Sequence, residues 1–407
     1  MRIAIIHPNP VSSRAVGGTT RVYALVCHLA PRHEVHVFTH ARGPKAEADA
    51  AIRELASLGV TQRVIPQPPV SWLTKARWAA QKTPYFVSHN RNPAIEAAVT
   101  ALDRERGIDV AHLELNALAP LFGGLGAGCA RVLAEQELMS ISIERLRALS
   151  SRHKNAYQRY ITRQIPRIRA FESEVLRHFD RLFGITEGEA SRMAELSGRE
   201  VAVLPHVVDT RRFTPRAVPT ASESILFVAN YRHHPNIEAA FWLMERVWPL
   251  IHRAAPGVRV RLVGPGLEPA QIRSLAALGA EVSGRVEDLA GAYCESAVFA
   301  NPIRSGGGMR GKVLEAFACG IPVVSTTLGL EGIAATPGEH CDRADEAEGF
   351  AAAVDCLLED RSLCRARAER ARALVVTHYD VGVVLGRLEA AFEEAHAVRR
   401  AAIGARA

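Results

Sequence analysis

The feature that most constrains this chain is an alternation. Short β-branched apolar runs recur along it, separated by longer amphipathic stretches. In the first half the runs are RIAIIHP, EVHVFTH, DVAHLEL, RVLAEQE, RLFGIT and VAVLPHVV; in the second they are SILFVAN, VRVRLVG, AEVSGRV, SAVFANPI and PVVSTTL. A strand that is apolar on both faces must be covered on both, which calls for a parallel sheet with helices on each side. Two successive sets predict an α/β chain of two doubly wound, Rossmann-like domains. A length of 407 residues also suits two cores better than one. The stretch from Val207 to Ser224 is rich in Pro, Ser and Thr and lacks an apolar period, so it is the expected junction. The expected domains are 1–207 and 208–379, with a last helix over 380–407 that can return to the first.

A formal charge of +7 favours an anionic partner. The basic residues are mostly Arg, scattered among Glu and Asp, which argues against nucleic acid. The seven cysteines are odd in number and include no CxxC, which argues against a disulfide framework or a zinc site. The N-terminal MRIAIIHPNP reads as a strand, since its apolar run is too short for a signal peptide. The uncharged run Leu115–Ala130 is broken by Pro120 and several glycines and is too short to span a bilayer. The expected location is the cytoplasm. The segment from Ile143 to Asp180 reads as a basic amphipathic helix carrying Arg145, Arg147, Arg152, Lys154, Arg159 and Arg163. A solvated face is its plainer explanation and peripheral contact with a membrane surface the sharper one.

Chemistry concentrates in NPIRSGGGMRGKVLEAFACGIPVVSTTLGLEG, Asn301 to Gly332. If SAVFANPI is a buried strand and GKVLEAFACG a helix, RSGGGMR joins the C-terminal end of a strand to a helix N-terminus. Ligands of open α/β sheets bind there. Free N–H groups and a partial positive charge sit at that helix end, and Gly306, Gly307 and Gly308 let the backbone approach an anion. Arg310 and Lys312 add two full charges beside Met309, so the loop reads as a diphosphate cradle. Glu315, three residues after Lys312, is placed to accept from ribose hydroxyls; a capped helix with a surface Lys–Glu pair is the plainer alternative. No GK[ST] follows the glycines, so the loop is not a Walker P-loop.

These residues resemble the donor-binding motif of retaining family-4 glycosyltransferases, which have the GT-B fold. The resemblance continues in AVGGTTRVYALVCHLAPRHEVHVFTH, VLPHVVDTRRFTP, ILFVANYRHHPNIEAAFWL, RVRLVGPG and VSGRVEDLAGAYCESAVFANPI, in the family's order. It implies that a sugar moves from a nucleoside diphosphate sugar, a UDP- or GDP-sugar, to a lipid-linked glycan or small natural-product acceptor, with retention and without a metal or other cofactor. It implies main-chain base contacts at Gly284 and Val286. Arg285 can stack on the base, an exposed Arg being the plainer reading, and the backbone N–H groups of Gly17 and Gly18 can face the same phosphates, a plain turn being the alternative. The chain departs from the family at two places. Gly307 stands where the first of two glutamates is common, Glu315 matching the second. Asn230, Arg232, His233 and His234 stand where an Arg and a Lys are usual, so Arg310 and Lys312, with Arg232, are expected to supply that charge.

His112 and Glu114 end the strand DVAHLEL, and alternation puts both on one face. The resemblance implies that this strand end points at the acceptor, which makes Glu114 and His112 the expected catalytic-side pair, although His112 also reads as a satisfied core histidine. Glu135 and Glu137, after the next strand, are the other acceptor candidates. Two rival functions remain open: a GT-B sugar-nucleotide epimerase, and a non-catalytic sugar-nucleotide-binding protein, the latter prompted by Gly307.

Overall fold

Strand positions follow burial. The computed structural model describes residues 1–14, 18–68, 71, 73–74, 78, 81, 83–149, 156–216 and 223–405. In its first half lie β1 (Arg2–His7), β2 (Glu34–Ala41), β3 (Thr61–Pro66), β4 (Val110–Leu113), β5 (Ala130–Glu135), β6 (Arg181–Gly184) and β7 (Ala202–Val203). They form a parallel sheet in the order β3-β2-β1-β4-β5-β6-β7. The second half holds β8 (Ser224–Val228), β9 (Arg259–Val263), β10 (Ala280–Ser283), β11 (Val298–Asn301), β12 (Val323–Ser325) and β13 (Asp342–Arg343). These also pair in parallel, in the order β10-β9-β8-β11-β12-β13.

Central strands match the apolar runs. Ile3, Ile5 and Ile6 of β1 and Phe299 and Ala300 of β11 have no exposed surface. Two edge strands have no apolar run to announce them. β3 alternates exposed and buried positions and includes Gln62 and Arg63, while β13 has only two residues. Polar composition is normal for an edge, where one side of the ladder meets water. The run VAVLPHVV shrinks to Ala202–Val203, because Pro205 follows within two residues and has no N–H for the ladder.

The expected helix over Ile143–Asp180 is instead three helices, Met139–Leu149, Ala156–Arg163 and Ile165–Leu176. Pro166 lies in the first turn of the third, where its missing N–H costs nothing, and it prevents a continuous helix. Arg152 and Lys154 lie outside the described residues, as do the side chains of Arg145, Arg147 and Arg159. Among the described residues no helix is long and apolar enough to cross a membrane.

The chain divides into two compact units, Met1–Pro205 with Leu385–Ala407, and His206–Val384. In the first unit Ala4, Ile6, Val99, Leu113 and Leu133 are core residues; in the second, Ile225, Phe227, Val260, Val298 and Phe350. The last helix, Val381–Gly404, enters the first unit from Leu385 onward. Its Arg399 meets Asp180 at 2.8 Å, and its Glu389 meets His28, Arg32 and His33.

Candidate functional site

In the second unit the chain lays down β8, β9 and β10 in one direction, then returns so that β11 pairs with the other side of β8. The C-terminal ends of β8 and β11 therefore flank a topological switch point, the usual crevice for ligands of an open sheet. A helix starts beyond each end. His234–Trp242 follows β8 and has Pro235 in its first turn; Gly311–Ala318 follows β11 and the glycine loop.

Lys312 joins these two helix N-termini. Its Nζ donates to Asn236 Oδ1 at 2.9 Å and stands 4.7 Å from the Phe227 ring centroid on β8. Asn236 is held in turn, because its Nδ2 donates to the Asn230 carbonyl at 2.7 Å. Burial pulls the Lys312 ammonium down to about 7; the Arg310 charge acts in the same direction and Glu315 opposes it. The result is a fixed amine that an arriving anion can charge.

Arg310 sits differently from the sequence expectation. Its guanidinium folds back to donate to the carbonyls of Gly306, Gly307 and Gly308, so it clamps the loop. Gly306 and Gly308 adopt φ of 86° and 77°, left-handed values that L side chains rarely take. The loop is also tied to the neighbouring helix, with Ser305 Oγ donating to Glu238 Oε2 at 2.6 Å and Arg304 stacked over Trp242. Met309 is buried beneath it.

Glu315 Oε2 accepts from Tyr293 Oη at 2.9 Å, and the same hydroxyl lies 3.1 Å from the Lys312 carbonyl. Burial raises the Glu315 carboxyl to about 7, against the opposing effects of Tyr293, Arg212 and Lys312. Glu315 and Lys312 form no ion pair with each other among the described contacts; each has its own polar partner. Arg232 is exposed, and its backbone N–H donates to Asn230 Oδ1 at 3.2 Å. Gly284 and Arg285 are exposed and Val286 half-buried just past β10, on the same sheet edge. Asn236, Tyr293 and His206 did not stand out in the sequence. His206 lies so close to the start of the loop helix that a Cβ on Gly311 would come within 3.0 Å of its ring.

The first unit repeats the switch point between β1 and β4. Gly17 lies outside the described residues. Gly18 opens the first helix, Gly18–Leu29, and packs so tightly on Gln136 that a Cβ there would stand 2.1 Å from the Gln136 Oε1. Glu114 and His112 share a face, as alternation requires, but that face is internal. Both have no exposed surface; Glu114 hydrogen-bonds His112 Nε2 at 3.1 Å and Gln136 Nε2 at 3.2 Å, and pairs with the Arg21 charge, whose Nε lies 3.5 Å away. Burial alone would raise the Glu114 carboxyl, yet the Arg21 charge with the His112 and Gln136 contacts holds it at about 2. The expected catalytic pair is thus a buried ion-pair network in this structure. Glu135 is buried too and accepts from the Asn116 N–H at 2.7 Å; burial raises its carboxyl well above the usual range. Glu137 is half-buried.

Comparison with known proteins agrees with this architecture. Residues 16–206 match the Glycosyl transferase 4-like domain, and residues 222–360 match Glycosyl transferases group 1. The fold is that of sucrose-phosphate synthase from Thermosynechococcus elongatus, with a TM-score of 0.73 at 16% identity over 98% of this chain and 99% of that one. It is also that of Anabaena HepE in complex with UDP and glucose, with a TM-score of 0.66 at 14% identity over 96% and 99%. The chain has the GT-B fold of glycosyltransferases. In sequence it is 31% identical over 284 residues to a D-inositol 3-phosphate glycosyltransferase of Geodermatophilus obscurus, covering 61% of each chain. The chain spans between 53% and 61% of the length of the curated relatives it matches.

Proposed function

We propose that this chain transfers a sugar from a nucleoside diphosphate sugar to a lipid-linked glycan or small natural-product acceptor, with retention at the anomeric carbon. The observation that carries the reading is Lys312, whose amine is held between two helix N-termini at the switch point of the second sheet. A departing diphosphate develops charge there, and preorganised N–H groups with a cation lower the energy of that charge in the transition state. In this reading Lys312 and the loop backbone hold the diphosphate, Arg310 keeps the loop in shape, and Arg232 adds charge. Glu315 takes the ribose hydroxyls, and the turn Gly284–Val286 faces the base. The leaving diphosphate assists removal of the acceptor's proton on the same face of the sugar, which gives retention. Binding of UDP by HepE makes a UDP-sugar the first donor to try.

Transfer is expected to continue in excess EDTA, because Lys312 and the helix N–H groups stand where a metal-dependent enzyme places its ion. Labelled donors incubated with candidate acceptors test the whole reading. A glycoside whose anomeric coupling matches the donor supports it. An altered sugar nucleotide would point to an epimerase, binding without turnover to a non-catalytic protein, and activity restored only by manganese would overturn the metal-free part.

Proton linkage offers a separate check. With Lys312 and Glu315 both near 7, at pH 8 the amine is mostly neutral and the carboxyl mostly ionised. A diphosphate favours the ammonium, so UDP binding at pH 8 is expected to take up protons, seen as a calorimetric enthalpy that depends on the buffer's ionisation enthalpy. The uptake should fall in Lys312→Met. Buffer-independent heats in the wild type would show that Lys312 gains no proton when the diphosphate arrives.

A further inference from the structure

The turn before β2 and the last helix bring together a donor set unrelated to sugar transfer. Glu389 and Glu393 are spaced four apart, so they share one helix face. His33 stands against them, its Nε2 2.7 Å from Glu389 Oε1, and one ligand atom from each of His33, Glu389 and Glu393 lies within 4.8 Å of the others. We propose that His33, Glu389 and Glu393 form a structural binding site for a divalent transition ion of the zinc class. One imidazole and two carboxylates are a borderline set that suits zinc better than magnesium or calcium, which prefer oxygen alone.

Of the three ligands, His33 and Glu389 need the least adjustment, while the exposed Glu393 starts within 4.8 Å of them and closes on the ion by rotating its side chain. Tetrahedral zinc ligands at about 2.0–2.2 Å from the ion stand roughly 3.3 Å from one another, so the His33–Glu389 pair opens by about half an ångström as the Nε2 proton leaves. Glu389 Oε1 faces the ion, while Oε2 keeps Arg32 at 2.7 Å and His28 at 3.0 Å, contacts that hold the carboxylate's orientation. A bound ion pins the last helix to the turn at His33. Because ligand binding to the native state alone raises stability, the ion should raise the melting temperature.

Zinc chloride titrated calorimetrically into the tag-free full chain, with thermal melts alongside, tests the site. The expected result is one zinc per chain and a higher melting temperature, with magnesium giving neither. Affinity should fall at least tenfold in both His33→Gln and Glu393→Gln; the exposed Glu393 keeps the second variant informative if the first folds poorly. No binding to the wild type, an equal effect of magnesium, or unchanged zinc affinity in Glu393→Gln would overturn the proposal.

Discussion

Replacing Arg21 by leucine is expected to cost about 3–5 kcal/mol of stability, the range for breaking a buried ion pair from one side. Arg21 is 1% exposed and Glu114 0%, so the carboxylate left behind has no water to turn to. Arg21 also donates to the Leu204 carbonyl at 3.2 Å, a further bond lost. Urea unfolding measures the loss. Removing both charges in Arg21→Leu/Glu114→Leu should recover much of it, since an apolar pair need not be solvated. The pH dependence has a definite sign. Glu114 is held at about 2 in the fold, below its unfolded value of about 4.3, so its contribution is present above about 4.3 and is lost as pH falls through 2. The gap between wild type and Arg21→Leu should narrow over that window. A loss below about 1 kcal/mol at pH 7 would place the pair among weakly coupled contacts and undo the buried-network account.

Lys312→Met should have the largest effect on ligand binding. Methionine keeps an apolar stem over Phe227 and removes only the charge and its bond to Asn236. A hydrogen bond to a charged group contributes roughly 1.5–3 kcal/mol, so UDP affinity should fall on the order of ten- to 150-fold. The fold should survive, because the lost amine leaves Asn236 still anchored to Asn230. Equal affinity in variant and wild type, by calorimetric titration, would remove Lys312 from the site.

What the sequence revealed tracks how local each feature is. β1, β2, β8 and β11 were legible because burial on both faces writes an apolar run. β3 was not, since an edge strand solvated on one side carries Gln62 and Arg63 and looks like loop. The glycine loop, Lys312 and Glu315 were legible because ten consecutive residues, Gly306 to Glu315, supply them. Asn236 was not, since it reaches Lys312 from 76 positions away. Tyr293 reaches Glu315 across 22 positions and reads in sequence as an ordinary helix aromatic. Alternation placed Glu114, one residue past β4, beside His112, and their side chains meet at 3.1 Å. It could not show that Arg21, from the helix Gly18–Leu29, would pair with Glu114 inside the core. For Arg310 the sequence supplied the charge and its place, but the three loop carbonyls it holds are a property of the folded turn.

On the proposed function, the second unit holds a nucleoside diphosphate at the switch point between β8 and β11. Calorimetric titration of the full chain with UDP, GDP, ADP and dTDP tests it most directly. One of the four is expected to bind at one site per chain and its monophosphate more weakly, with Lys312→Met weakening the diphosphate and not the nucleoside. Failure of all four to bind, or binding that ignores the second phosphate and Lys312 alike, would contradict it.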